Sequence, residues 1–458
     1  MSLKSVREKH HIAIIGGAVS GSVAANILAN NGFRVVVFEM NNLPYGKIED
    51  GLPNWHVKLR NRQIEKIDKN LNHPSIIYLP NTKIGKDISF LELINNWSFS
   101  GVIIANGAWN DRQFPIPQIG KFINKELVYQ NDFIYWFNHK HEPNYNGNNY
   151  FIKNNAVVLG GGLASLDVIK IVMIELVRKQ LWFKKGIKVD MFTLEHKGVR
   201  FILETYKTSL KELEIEKAKL VYRKTAKDMP LKTAVDNSIE SIEAARLVSE
   251  KLLNKYKNKY MFEFIPLSVP VSFVEKNNKL TGLILQKRKI DNGKIILFEG
   301  DQYKINTSFV ISSIGSLPEK IEGLPYDNTS LKIAEGSNCL VDGFDNVFAI
   351  GNAVTGRGNI QESSRHSKKS AFDIIDAQAS NDKLEKWLTS INIEIEDNVN
   401  EQLPRIINGL KVKEIKPKKQ INDLYEKVNL IHKKQKFTSY LNWVFKKTPI
   451  RLEETLKK

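Results

Sequence analysis

A single cysteine, Cys339, excludes an internal disulfide, a Cys-x-x-Cys redox pair and any cysteine-ligated iron–sulfur cluster or zinc site within this chain. Redox chemistry, if the chain performs it, must be carried by a bound cofactor. In "SNCLVDGF" the thiol reads as a small residue beside a strand. No run of about 18 uncharged apolar residues is present. The opening "MSLKSVREKHHIAIIGG" passes from a short polar stretch into a first strand without a signal-peptide core, so a cytoplasmic protein with no membrane partner is expected. Low-complexity linkers and solenoid repeats are missing as well. The histidines of "FNHKHEPNYNGNNY" lack metal-ligand spacing; that stretch reads as a polar loop, and no metal is expected.

Positive charge, by contrast, is in excess. The formal charge of +18 suits an acidic partner, because a large net field raises encounter rates with the opposite sign. A lysine-rich composition of the kind A/T-rich coding imposes is the competing cause. The basic residues are scattered rather than gathered with stacking aromatics, which argues against nucleic acid as a partner. With 42% hydrophobic and 26% charged residues, the chain has the composition of a globular protein long enough for roughly two to four domains.

Two stretches carry chemistry. "IAII" is a short β-branched run of the buried parallel-strand type, "GGAVSG" follows it, and "SVAANILANNG" has helical apolar spacing. Strand, glycine turn and helix in that order form a dinucleotide-binding signature. Gly16 permits the tight turn, with Gly17 beside it. Ala18 takes the position where backbone approaches a pyrophosphate, Ser20 follows, and Gly21 lets helix pack on strand; helix-start amides face the phosphate charge. A second strand, "RVVVFE", ends in Glu39, where an acid meets ribose hydroxyls, with Met40 next to it.

The same grammar returns with "AVVLGGGLASLD": strand, then Gly160, Gly161 and Gly162, then a long helix opening with Leu163 and Ala164 and with Ser165 in place of the third glycine. The next strand of this unit is either "IKVDMFTLE", ending at the acidic Glu195, or "KLVYRK", ending at Arg223 and Lys224. The acid favours NAD and the basic pair favours the 2′-phosphate of NADP. The reading leans to NADP, with NAD as the alternative.

Two dinucleotide sites in one chain have a direct use, since one can hold a flavin and the other a nicotinamide that reduces it. Further apolar strands, "VIIANGAW" and "SFVISSIGSLPE", and the strand–glycine-loop–helix pattern of "NVFAIGNAVTGRGNIQESSRHSKKSAFDIIDAQ", return to complete the first unit. The first glycine turn, Glu39, "LPYGKIEDGLP", Ala105 to Gly107, "GGGLASLDV", "VYRKTAKDMP" and "VFAIGNAVTGRGNI" together give a chain that resembles the flavoproteins with two dinucleotide-binding domains. Within them it is similar to the adrenodoxin-reductase and glutamate-synthase small-subunit branch.

The resemblance implies an α/β fold with two Rossmann-like domains, the NAD(P)H domain inserted in the FAD domain; the charged tail that follows lies outside the shared motifs and reads as helical. The FAD domain is expected at residues 1–150 and 305–385, the NAD(P) domain at 151–304 and the tail at 386–458. FAD and NADP are the implied cofactors, and the implied activity is NAD(P)H oxidation with electrons passed to an external acceptor, an acidic ferredoxin-like protein being the natural partner. The branch places Tyr45, Gly46, Lys47 and Ile48 against the flavin ring, Ala105, Asn106 and Gly107 at a strand end, and Gly351, Asn352, Gly358, Asn359 and Ile360 at the ribityl and pyrimidine end. His56 falls where relatives have a histidine near the flavin and is the candidate proton relay. The chain departs from the pattern at Ala18, Asn106, Ser165 and Asn352, although an asparagine at 352 still hydrogen-bonds. An electron-feeding subunit of a larger complex and a nucleotide-responsive binding protein are the alternatives. The tail, interrupted by prolines, either packs on the FAD domain or docks a partner.

Overall fold

The computed structural model describes residues 10–291, 294–355 and 381–456. Two parallel sheets organise it. The first has the order Val347–Ala349, Gly101–Ile104, His11–Ile15, Arg34–Phe38, Ile76–Leu79. Side chains alternate between its faces along each strand. Ile12, Ile14, Val35 and Val37 enter one apolar layer, and Ala13, Ile15, Val36 and Phe38 enter the other. A parallel sheet must be covered on both faces, and the tail supplies cover to both. Leu403, Ile406 and Leu410 of the helix Asn381–Lys411 join the first layer. Leu424 and Val428 of Lys418–Gln435 join the second. Of the two fates open to the tail, packing is the one observed.

The second sheet runs Leu127–Tyr129, Val310–Ser312, Val157–Leu159, Lys219–Val221, Glu263–Ile265, again all parallel. The helices Leu163–Lys185 and Ile239–Tyr260 pack on one face. Leu280, Leu283 and Leu285 of a three-stranded antiparallel sheet, Ser268–Lys276, Lys279–Asp291 and Lys294–Asn306, cover the other. Among the described residues no helix is long and apolar enough to cross a membrane.

Two strands fall on the other side of the expected domain boundaries. Leu127–Tyr129 and Val310–Ser312, placed by sequence in the flanking unit, pair with the inserted sheet instead. A three-residue apolar strand carries no label for its sheet, and only its hydrogen-bonded neighbours assign it. The stretch "IKVDMFTLE" is not a strand: Asp190 Oδ1 accepts the Thr193 backbone N–H at 2.9 Å and starts the helix Met191–Lys197. The second strand of the unit is Lys219–Val221, leading straight to Arg223 and Lys224. The chain crosses between units twice, and the crossings pair as an antiparallel ribbon, Asn110–Asp111 with Ser316–Leu317.

Candidate functional site

The first glycine turn is built by close approach. Gly16 has φ +101°, a Cβ there would lie 2.5 Å from the Ala105 carbonyl oxygen, and its own N–H donates to the Phe38 carbonyl at 2.8 Å. A Cβ at Gly21 would run into the Gly16 carbonyl oxygen, so the helix Val19–Asn30 sits on the strand only with glycine there. Gly351, at φ +61°, lies against the Ser20 side chain, which brings the last glycine loop to the first turn.

These turns floor a cleft lined by Gly16, Ala18, Ser20, Glu39, Met40, Tyr45, Gly46, Lys47, Ile48, Ala105, Asn106, Gly107 and Asn352, with Trp109 and the tail residue Ile395 on its walls. Gly17 lies just behind, donating its N–H to Glu39 Oε2 at 2.8 Å, while Asn41 N–H donates to Oε1 at 3.0 Å. Burial raises the Glu39 carboxyl to about 7, against the pull of those backbone donors. Asn106 donates to the Glu319 carbonyl at 3.2 Å, but its buried Oδ1 accepts from no described group. A cleft with a glycine floor, a buried acid at its second strand end and an orphan acceptor on its wall fits a dinucleotide with a polar ring system.

The Tyr45–Ile48 segment is pinned from outside. Tyr45 and Tyr440 of the tail both donate to Asp68, Trp443 Nε1 donates to the Asn42 carbonyl at 2.7 Å, and Arg451 makes a two-pronged pair with Glu49 at 2.9 and 3.1 Å. Lys47 Nζ reaches Ser316 Oγ of the crossing ribbon at 3.0 Å. Burial lowers the Lys47 ammonium to about 8, with Asp111 opposing.

The second turn is built differently. Gly160, φ +151°, lies against Ser165 Oγ and the Ser313 carbonyl, and Ser165 Oγ bonds to both Ser313 oxygens, so the serine does the packing of a third glycine. Gly161 makes room for the Tyr222 ring, whereas Gly162 faces open space at the helix start formed by Leu163 and Ala164. Arg223 and Lys224 are exposed at the adjoining strand end. Arg288, on the antiparallel sheet, donates to the Arg223 carbonyl at 3.4 Å and adds a third cation. Sequence reasoning missed Arg288 because no spacing along the chain connects it with Arg223. A helix N-terminus with open space before it and basic side chains alongside fits a phosphorylated nucleotide.

His56 stands apart from the cleft, buried where the two units meet. Trp55 Nε1 donates to His56 Nε2 at 3.0 Å, and Asp167 Oδ2 of the inserted unit lies 3.5 Å from the same nitrogen. A ring nitrogen serves one of these neighbours at a time. As a lone pair it accepts the indole N–H; as an N–H it faces the carboxylate. Gly358, Asn359 and Ile360 lie outside the described residues.

Two sheets, each opened by a glycine turn at a helix start, one inserted in the other and joined by a ribbon, define a protein of the double-dinucleotide-binding class. Comparison with known proteins agrees. The NAD(P)-binding Rossmann-like domain family matches residues 14–70. Mitochondrial NADPH:adrenodoxin oxidoreductase of Arabidopsis thaliana is 23% identical over 348 residues, 69% of this chain and 70% of that protein. The small chain of NADPH glutamate synthase of Azospirillum brasilense is 21% identical over 381 residues, 79% of this chain and 65% of that protein. FprA of Mycobacterium tuberculosis, solved in complex with NADPH, superposes with a TM-score of 0.63 at 18% identity, covering 93% of this chain and 91% of that one. The chain is thus similar in sequence to adrenodoxin reductase and the glutamate synthase small chain, and it shares the fold of FprA.

Proposed function

We propose that this protein is an FAD-dependent NADPH oxidoreductase that hands electrons to an external ferredoxin-like acceptor. The flavin unit in this reading comprises the residues on the outer sides of the Asn110–Asp111 and Ser316–Leu317 ribbon, and the nicotinamide unit the residues between. The observation that carries the reading is the pairing of a glycine-floored cleft closed by Glu39 with a second glycine turn flanked by Arg223 and Lys224. A nicotinamide held at the second glycine turn would supply hydride-transfer chemistry, and a flavin held in the first cleft would supply the capacity to release electrons singly or in pairs.

The chain's own residues bind, orient and exclude water. Glu39 accepts from the adenosine ribose, and the Gly16 to Gly21 turn admits the pyrophosphate. Trp109 and the pinned Tyr45–Ile48 segment wall the ring end. Leu163, Ala164 and Gly162 present helix-start amides to the second nucleotide. Arg223 and Lys224 meet the 2′-phosphate. His56 takes or gives a proton at Nε2, switching between Trp55 and Asp167. With no second redox centre expected in a chain of one cysteine, the acceptor is a separate protein, and a +18 charge suits an acidic one.

Rapid mixing of the FAD-loaded protein with NADPH should bleach the flavin absorbance, and ferredoxin should then accelerate cytochrome reduction; an unbleached flavin with either nucleotide overturns the reading. Arg223→Ala should raise the KM for NADPH about tenfold or more, as expected for loss of a charge-assisted hydrogen bond, and leave that for NADH unchanged. A second reading, an electron-feeding subunit of a larger assembly, is favoured by the glutamate synthase small-chain likeness over 79% of the chain. A stoichiometric partner on purification would establish it.

A further inference from the structure

Lys170 is 1% exposed, and nothing in the nucleotide-binding grammar calls for a lysine there. It lies on the helix Leu163–Lys185, two turns from the glycine turn. Its Nζ sits 3.1 Å from Asp167 Oδ1 and 3.2 Å from Glu195 Oε1, and 4.5 Å from the centre of the Trp55 ring. Trp55 belongs to the flavin side of the chain, yet it is buried in the core layer of the inserted unit. One ammonium therefore touches both units. The Asp167 oxygen that Lys170 leaves free is the one facing His56.

We propose that Lys170 is a positioning residue for hydride delivery: clamped between Asp167 and Glu195 and seated on the Trp55 ring, it fixes the Asp167 carboxylate against His56 across the boundary between the two units. The inference rests on the oxidoreductase reading above. An isolated buried ammonium is costly, so it persists only where surrounding groups repay its desolvation. Here they are the two carboxylates and the faces of Trp55, Tyr256 and Tyr260. A lysine present only to fill the core would be replaced at lower cost by methionine. Burial opposes the charge on Asp167, but Lys170 first and His56 next outweigh it and hold that carboxyl below its usual range. Lys259, beside Glu195, also faces this cluster, with Lys255 acting on it in turn. Without Lys170 the burial of Asp167 loses its main counterweight, and the carboxyl takes up a proton at higher pH.

The test uses the FAD-loaded full-length protein. Lys170→Met should slow NADPH-driven bleaching on the order of tenfold to a hundredfold, the scale of a small misplacement of reacting groups. Its rate should rise with pH as Asp167 ionises, a dependence absent from the unmodified protein, and Lys170→Arg should restore both rate and profile. Lys170→Met with unchanged rate and pH profile overturns the inference. If that variant does not hold flavin, Glu195→Gln, which loosens one side of the Lys170 clamp but keeps its Asp167 pair, should still slow bleaching several-fold without the pH trend, and an unchanged rate likewise overturns the inference. If the unmodified protein is not bleached by either nucleotide, the oxidoreductase reading fails by itself. Solution X-ray scattering then decides for Lys170: a more open arrangement of the units in Lys170→Met supports the clamp, and identical curves remove it.

Discussion

Glu39 shows how one residue joins recognition to stability. Its two oxygens take the Gly17 and Asn41 N–H groups in a buried pocket, and burial raises the carboxyl from 4.5 to about 7. A raised carboxyl favours the protonated folded state, so in ligand-free protein the stability it allows is present at low pH and falls as pH rises from about 4.5 to about 7. Glu39→Gln should flatten that slope in thermal melts, while weakening FAD binding roughly tenfold, by the cost of a hydrogen bond to a charged group, read by flavin fluorescence titration. Glu39 was visible in the sequence because a strand end at a set distance from a glycine turn is a local feature. The meeting of Asp167 with His56 was not visible, because 111 positions separate the two (167 minus 56).

At the scale of elements, the tail has become part of the unit built on the first sheet. Leu410 is fully buried against the first sheet, and Gly101 makes room for it, since a Cβ at that position would strike the Leu410 side chain. Leu410→Ala should therefore destabilise by about 2–5 kcal/mol, the usual cost of a buried leucine truncation, seen in denaturant unfolding, and should loosen flavin retention through the tail contacts on Glu49 and on Asp68, the acceptor that Tyr440 shares with Tyr45. The long helix after the second glycine turn was legible, because an unbroken helical pattern directly follows the turn. The short stretch "IKVDMFTLE" was not, because its alternating apolar residues suit a strand while a capping Asp190 turns it into a helix. Gly161 was read as one of three turn glycines by its pattern, but that the space a side chain would need there is filled by the Tyr222 ring is visible only in the fold.

At the scale of the whole molecule, the two units are held together by buried polar contacts as well as by the ribbon. Asn138 donates to the Glu49 and Leu52 carbonyls, and His139 lies between Asp50 at 3.0 Å and Glu142 at 2.6 Å. Burial disfavours the imidazolium, but the hydrogen bonds it donates to Asp50 and Glu142 outweigh that and raise His139 from 6.5 to about 9. A raised histidine contributes stability that is fully present below about 6.5 and is lost as pH rises through about 9. His139→Ala should accordingly lower the melting temperature at pH 6, with the difference shrinking toward pH 10. Such a profile, followed by scanning calorimetry, would separate this contact from Lys170, whose loss should act chiefly on flavin reduction.

The amino-acid sequence by itself determined the two glycine turns, the acid after the first, the basic pair after the second and the helical character of the tail, because each depends on residues close together along the chain. Which sheet receives Leu127–Tyr129 and Val310–Ser312, that Arg288 stands beside Arg223, and that Trp55, His56, Asp167, Lys170 and Glu195 form one buried cluster were decided only by tertiary structure. Hydrogen bonding between strands and the pairing of buried charges depend on distance in space, which spacing along a chain does not encode.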